Sequence, residues 1–224
     1  MLGIFKSMKE VNFYFDFLSP FSYLAWRNSQ KTLAQYEIRY KPVPLGPLLN
    51  HWEIKGPGEV TPKREFILKQ LLRHTKSAGI PFTTPKTHPF NSLYALRLSL
   101  KGVAGRDQEK VIATLWQAGW VDRIDMGEPE EILHALRNAG LPADELYEKS
   151  FTREAKQELK ANLKEALEYG VFGVPSFVSE GELFWGNDSM EDLVNYLEGK
   201  DPLDRAKLED LLRSTPRAAS QGIP

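Results

Sequence analysis

The sequence predicts an α/β protein in which strand-forming stretches near the two ends of the chain build one mixed sheet, with a helical middle inserted between them. Three observations carry this. Residues 11–43 read as strand, helix, strand; residues 62 to about 169 are mostly helical in pattern; residues 171–197 read as strand, turn, strand, helix.

Apolar and aromatic residues crowd Val11-Asn12-Phe13-Tyr14-Phe15-Asp16-Phe17, as in a strand covered on both faces. That strand runs into Leu18-Ser19-Pro20. Ser19 suits a helix N-cap, and Pro20 suits the first helical position, where its missing N–H is no loss. A helix is expected from there to about Gln35. Ile38 to Val43 reads as a second strand, ended by the cluster Pro42, Pro44, Gly46 and Pro47. A strand–helix–strand opening favours a parallel pair.

In the middle, Phe66, Leu68, Leu71 and Leu72 begin one amphipathic segment, and Leu93, Leu96, Leu98 and Leu100 mark another. Val111 to Trp120, Glu128 to Asn138 and Phe151 to Tyr169 supply three more. The connection from Gly79 to Phe90 carries prolines at 81, 85 and 89 and is expected to border a cleft. After Gly170, residues 171–178 and Leu183-Phe184-Trp185 flank a turn at Glu180-Gly181-Glu182, which reads as a hairpin. Ser189 or Asp188 is expected to cap a helix from Met190 to Leu197. A short helix through Leu212 and a flexible polar tail are expected at residues 201–224.

Composition excludes several kinds of chemistry. A net charge of −1 gives no reason to expect a nucleic-acid partner. No apolar run approaches the roughly 20 residues of a membrane span, and Met1 to Glu10 lacks the apolar core of a secretory signal, so a cytoplasmic protein without a membrane partner is expected. With no cysteine there is no disulfide, thiolate metal site or cysteine nucleophile, and any sulfur chemistry must arrive with a ligand. The four histidines (His51, His74, His88, His134) are scattered without metal-ligand spacing, and no metal is assigned.

Ser19 admits two compatible readings: an N-cap, and a hydroxyl aimed at a ligand from the positive end of a helix. A thiolate or carboxylate bound there is stabilised without a nearby lysine. The stretch contains neither Ser-x-x-Lys nor Gly-x-Ser-x-Gly, which disfavours a covalent serine nucleophile. Pro175 precedes a strand-like run, where proline marks an edge or a cis bond. Asn187 and Asp188 read first as a turn and cap.

The stretch Phe15-Asp16-Phe17-Leu18-Ser19-Pro20-Phe21-Ser22-Tyr23-Leu24-Ala25 resembles the opening of the 2-hydroxychromene-2-carboxylate isomerases and kappa-class glutathione transferases. That resemblance implies a thioredoxin-like fold in which Ser19 and Ser22 stand where redox relatives carry Cys-x-x-Cys. Gly170-Val171-Phe172-Gly173-Val174-Pro175 is similar to the family's second signature, with its cis proline, and Phe184-Trp185-Gly186-Asn187-Asp188 to its third. The implied layout is a discontinuous thioredoxin-like domain at 11–50 and 170–200, with a helical insertion at 51–169.

Carried over, the resemblance implies that Ser19 activates the sulfur of glutathione, Val174 and Pro175 bind its backbone, and Asn187 and Asp188 hold its γ-glutamyl end. Lys55 lies near a Lys-Gly-Pro stretch that contacts glutathione in kappa-class enzymes. Ser189 replaces a frequent arginine of the family, with Lys55, Lys63 and Arg64 as alternative cations. His88, Asn91 and Arg97 are candidates for an acceptor site, against loop and helix-surface readings, and Phe17, Phe21 and Trp52 are expected to shape an apolar cavity.

The implied function is a glutathione-dependent isomerase acting on a small aromatic substrate, as a homodimer. A kappa-like transferase or peroxidase acting on an electrophile uses the same site. A glutathione-binding module without turnover is the alternative of another class.

Overall fold

The structure, a computed structural model, describes residues 9–215. Four strands form one sheet: β1 (Glu10–Phe15), β2 (Glu37–Pro42), β3 (Ser176–Ser179) and β4 (Glu182–Trp185). Their order is β2-β1-β3-β4, with β2 parallel to β1, and both β1–β3 and β3–β4 antiparallel. The sheet is therefore mixed, built from both ends of the chain. β1 is interior, and Val11, Phe13, Tyr14 and Phe15 are all fully buried, which is why it reads as a nearly continuous apolar run. Phe13 stacks on Phe177 of β3 with centroids 4.6 Å apart, locking the register Phe13–Phe177.

Eleven helices are found among the described residues. Seven of them are α1 (Pro20–Thr32), α2 (Leu45–His51), α3 (Thr61–Ala78), α4 (Leu93–Leu98), α5 (Lys101–Ala104), α6 (Gln108–Trp120) and α7 (Pro129–Asn138). The remainder are α8 (Ala143–Ser150), α9 (Arg153–Glu168), α10 (Met190–Leu197) and α11 (Arg205–Ser214). One apolar core lies between the sheet and α1, α6 and α10, joining Phe15 and Phe17 to Trp26, Trp116, Trp120 and Leu193. A smaller core on the opposite face joins Tyr14 and Val178 to Leu48 of α2 and Ala166 of α9.

Several expectations shift. The first helix stops at Thr32 rather than Gln35, because Leu33 leaves helical geometry and Tyr36 N–H bonds Leu33 O in a turn. The proline and glycine cluster after β2 contains α2: Pro44 precedes the helix and Pro47 sits in its first turn, where no intrahelical N–H bond is lost. α8 has no counterpart in the sequence reading. The ninth helix begins at Arg153, with Thr152 Oγ1 accepting from Ala155 N–H as its cap. In α3, Leu71 is buried, but Phe66 and Leu72 are 59% and 58% exposed, since neighbouring helical positions diverge by about 100°. No described helix is long and apolar enough to cross a membrane. Residues 216–224 of the expected tail lie outside the described residues.

Candidate functional site

At the end of β1 the chain turns through Asp16, Phe17 and Leu18 and enters α1 at Pro20. Ser19 takes the N-cap position with extended φ/ψ (−92°, 111°), and its Oγ accepts a 3.1 Å hydrogen bond from Ser22 N–H. The same hydroxyl donates to Val174 O at 3.3 Å. That bond is long enough for the proton to be redirected toward a ligand at little expense. The helix-cap reading of Ser19 and its placement beside the Val174 loop thus hold together.

Val174–Pro175 is cis, as the resemblance implies. The loop is pinned on both sides: Ser176 Oγ donates to Gly173 O at 2.7 Å, and Gly186 N–H donates to Pro175 O at 2.9 Å. Gly173 lies against the Trp185 indole so closely that a Cβ there would stand 2.8 Å from its Nε1. Phe21, at the second position of α1, carries one of the amides that a helix start leaves without an intrahelical acceptor, and among the described residues Val174 N–H makes no hydrogen bond. The hydroxyl of Ser22 is fully buried and also without a partner.

Asn187 belongs to a single 3₁₀ turn (Asn187–Ser189) entered through Gly186, whose φ of 90° favours glycine. Its Oδ1 accepts from Asn28 Nδ2 at 2.8 Å, which ties this turn to α1, the helix that Ser19 caps, and leaves Asn187 Nδ2 to donate elsewhere. Asp188 is exposed and forms no ion pair among the described residues. Neither it nor Ser189 caps α10 with its side chain; Ser189 Oγ instead donates to Gly186 O at 3.0 Å and closes the turn.

The structure does not join Lys55 to Ser19 or Val174 by any hydrogen bond. Lys55 is exposed in the stretch after α2, which is anchored near the Val174 loop by Trp52 Nε1–H donating to Val171 O at 2.9 Å. Lys63 and Arg64 are exposed at the start of α3. Phe17 cannot shape a cavity: it is fully buried, its ring 4.5 Å from that of Trp116. Asn91 caps its own turn by accepting from Leu93 N–H, and Arg97 is half-buried on α4 with an unpartnered Nε.

The connection containing residues 79–90 does reach the Ser19 junction. His88 Nε2 is 3.0 Å from Leu18 O, and its ring meets Trp120 edge-on. Trp120 Nε1–H donates to Phe17 O at 2.9 Å, and Tyr23 OH donates to Pro81 O at 2.7 Å. Beneath the junction, Asp16 is fully buried; its Oδ1 accepts from Leu18 N–H at 3.0 Å and its Oδ2 from Leu45 N–H at 2.7 Å. Burial pushes the Asp16 carboxyl up to about 6, against the opposing pull of these two amides and of Ser92. Asn28 and Asp16 carried no role in the sequence reading. Only Asp16 had a local signal, an Asx residue two positions ahead of a turning backbone.

A separate open cavity of about 660 Å³ lies between α1, α6 and α7, with Tyr23, Trp26, Arg27 and His134 among its walls. None of the expected site residues lines it.

The fold and this site define a thioredoxin-like protein whose helix-capping serine faces a cis-proline loop. Residues 10–198 match the family described as DSBA-like thioredoxin domain, and the chain belongs to that family, among enzymes similar to 2-hydroxychromene-2-carboxylate isomerase and glutathione S-transferase kappa. The isomerase of Sphingobium xenophagum is 30% identical over 195 residues, covering 84% of this chain and 98% of that protein. Glutathione S-transferase kappa 1 of Homo sapiens is 29% identical over 214 residues, covering 86% and 92%. A solved structure of 2-hydroxychromene-2-carboxylate isomerase superposes with a TM-score of 0.76 at 25% identity, covering 89% of this chain and 98% of that one.

Proposed function

We propose that the chain is a glutathione-dependent isomerase of the 2-hydroxychromene-2-carboxylate type, in which Ser19 holds the glutathione sulfur as a thiolate. The observation that carries this is the 3.3 Å approach of Ser19 Oγ to Val174 O at the start of α1, where the Phe21 amide is a helix-start orphan and Val174 N–H makes no hydrogen bond among the described residues. These groups fit a cysteinyl peptide: backbone donors for its main chain, and a hydroxyl and a helix N-terminus for its sulfur. Bound glutathione supplies a sulfur nucleophile able to add to a conjugated carbon and leave again, which permits rotation about a formerly double bond.

The chain's own residues do the rest. Ser19 gives up its bond to Val174 O and donates to the anion, and the α1 N-terminus adds partial positive charge, both favouring the thiolate over a thiol of pKa about 8.5. Val174 and Pro175 hold the peptide backbone. Asn187 donates through Nδ2 and Asp188 accepts, receiving the γ-glutamyl end, and Lys55 supplies a cation for a carboxylate. The same reading takes a small planar aromatic acid as substrate and the chain as a cytoplasmic homodimer.

The nearly equal likeness to the human kappa transferase supports a second reading, transfer of glutathione to an electrophile or reduction of a peroxide at the same Ser19. Product analysis separates the two, because only the isomerase returns glutathione unchanged.

The test is a pH titration of thiolate absorbance for glutathione bound to the wild type and to Ser19→Ala, with affinity measured by calorimetry. A bound thiol pKa well below about 8.5 that rises in the variant is expected. Absent binding, or an unshifted thiol in both proteins, overturns the reading.

A further inference from the structure

We infer that Asp16 is the positioning residue for Ser19: from beneath the junction its carboxylate ties the turn entering α1 to the start of α2, and so fixes the hydroxyl and the helix N-terminus that face the ligand.

One carboxylate joins two segments that meet only in the folded chain. Oδ1 holds Leu18 N–H, one residue before Ser19, while Oδ2 holds Leu45 N–H, the first residue of α2. The main chain adds to the grip, because Ser19 N–H donates to Asp16 O at 2.9 Å. Ser92, at the N-cap position of α4, favours the ionised form of the carboxyl. Leu45 N–H is one of the orphan donors of a helix start, and Pro44 before it offers no side-chain cap, so Asp16 does what an N-cap would otherwise do for α2.

The carboxylate is fully buried, and no charged side chain contributes to the environment that holds it. Keeping a charge there opposes stability. A buried group kept ionised against burial, directly below the residue that carries the chemistry, is the pattern of a site residue rather than of a core residue. Asparagine in its place keeps the size but turns an N–H₂ toward one of the two amides, which breaks the bridge without opening a cavity.

The inference rests on Ser19 being the thiol-activating group, but its geometry can be tested without any ligand. Ser22 N–H is shared between Ser19 Oγ at 3.1 Å and Ser19 O at 3.0 Å, and therefore reports how firmly Ser19 as a whole is held at the head of α1. Hydrogen exchange in the unliganded full chain should show protection at the Leu18, Ser22 and Leu45 amides falling at least tenfold in Asp16→Asn, while the thermal midpoint at pH 7 does not fall. In the wild type, protection at these amides relative to the β1 core amides, corrected for intrinsic exchange, should fall as pH drops through about 6, because protonation weakens the two amide bonds while the carboxyl stays buried; this serves if the variant fails to fold.

With glutathione, Asp16→Asn should raise the bound thiol pKa in the same direction as Ser19→Ala, and the double variant should add nothing beyond Ser19→Ala alone, because Asp16 acts through Ser19. Unchanged Ser22 protection overturns the inference. So does additivity, or a thiol pKa that falls in Asp16→Asn, which would make the carboxylate a repelling charge instead. A wild type that leaves the thiol unshifted sinks the Ser19 reading, while the exchange data still decide the role of Asp16.

Discussion

Ser19 Oγ and Val174 O stand 3.3 Å apart although 155 positions separate them in the chain. The contact exists because β1 leads into Ser19 and the segment ending at Val174 leads into β3, and these two strands pair antiparallel at the centre of the sheet. A helix start and a cis-proline loop are thereby brought side by side.

Under the proposed function, Asn187 holds glutathione without activating it. Its amide is fixed by Asn28 at a distance from the serine hydroxyl, so Asn187→Ala should weaken glutathione binding about tenfold, roughly 1.4 kcal/mol, and leave the bound thiol pKa where the wild type has it. Calorimetry and the ultraviolet titration read the two quantities independently. A thiol shift as large as that of Ser19→Ala would contradict the division of roles.

The Trp120 indole N–H satisfies the carbonyl of Phe17 inside the core, two residues before Ser19. Trp120→Phe removes the donor and leaves a buried acceptor unpaired, which should lower unfolding free energy by about 1–3 kcal/mol in urea denaturation, apart from any packing loss. Turnover should fall as well, because the same carbonyl belongs to the turn that presents Ser19. Unchanged stability would mean that the carbonyl finds another partner.

Gly173 packs closely against the Trp185 indole. An added methyl would meet Trp185 Nε1 at 2.8 Å, yet Trp185 is 54% exposed and can swing away from its contact with Phe172. Gly173→Ala should therefore change stability by no more than about 1 kcal/mol, while increasing acrylamide quenching of Trp185 and weakening glutathione binding through the displaced loop. Trp185→Phe in the same background serves as the spectral reference. Identical quenching and affinity with and without the methyl would contradict this placement.

Asp16 also fixes a sign for the pH dependence of stability. Its carboxyl rises from 3.8 to about 6 on folding, so the folded chain holds that proton more tightly than the unfolded one. The stability linked to it is fully present below 3.8 and lost as pH rises through about 6, amounting to about 3 kcal/mol for a shift of this size. Denaturation of wild type and Asp16→Asn between pH 4 and 7 isolates the group: the wild type should lose stability relative to the variant as pH rises. A difference independent of pH would show that the carboxyl does not titrate in this range.

Much of this was legible in the sequence because the signals are local. The apolar crowding of β1, the Ser19–Pro20 helix start, and the turn at Glu180 and Gly181 between β3 and β4 each follow from the conformational preferences of a few adjacent residues. The order of the three signatures was also readable, and with it the resemblance. The same local logic failed at α2, where Pro44, Gly46 and Pro47 read as a break although a first turn tolerates them, and at α8, which the sequence pattern did not mark.

By itself, then, the sequence determined that a strand near Val11 runs into a helix starting at Pro20, that a hairpin turns near Gly181, that sulfur chemistry must come from a ligand, and that a serine caps the helix after the first strand. Only the tertiary structure decided that Phe17 turns into the core, that Asn28 holds Asn187, that Trp120 and His88 reach the carbonyls beside Ser19, and that Asp16 bridges α1 and α2. The reason is physical: propensity and capping act over one or two turns of chain, whereas these contacts exist only after the sheet has closed with β1 between β2 and β3.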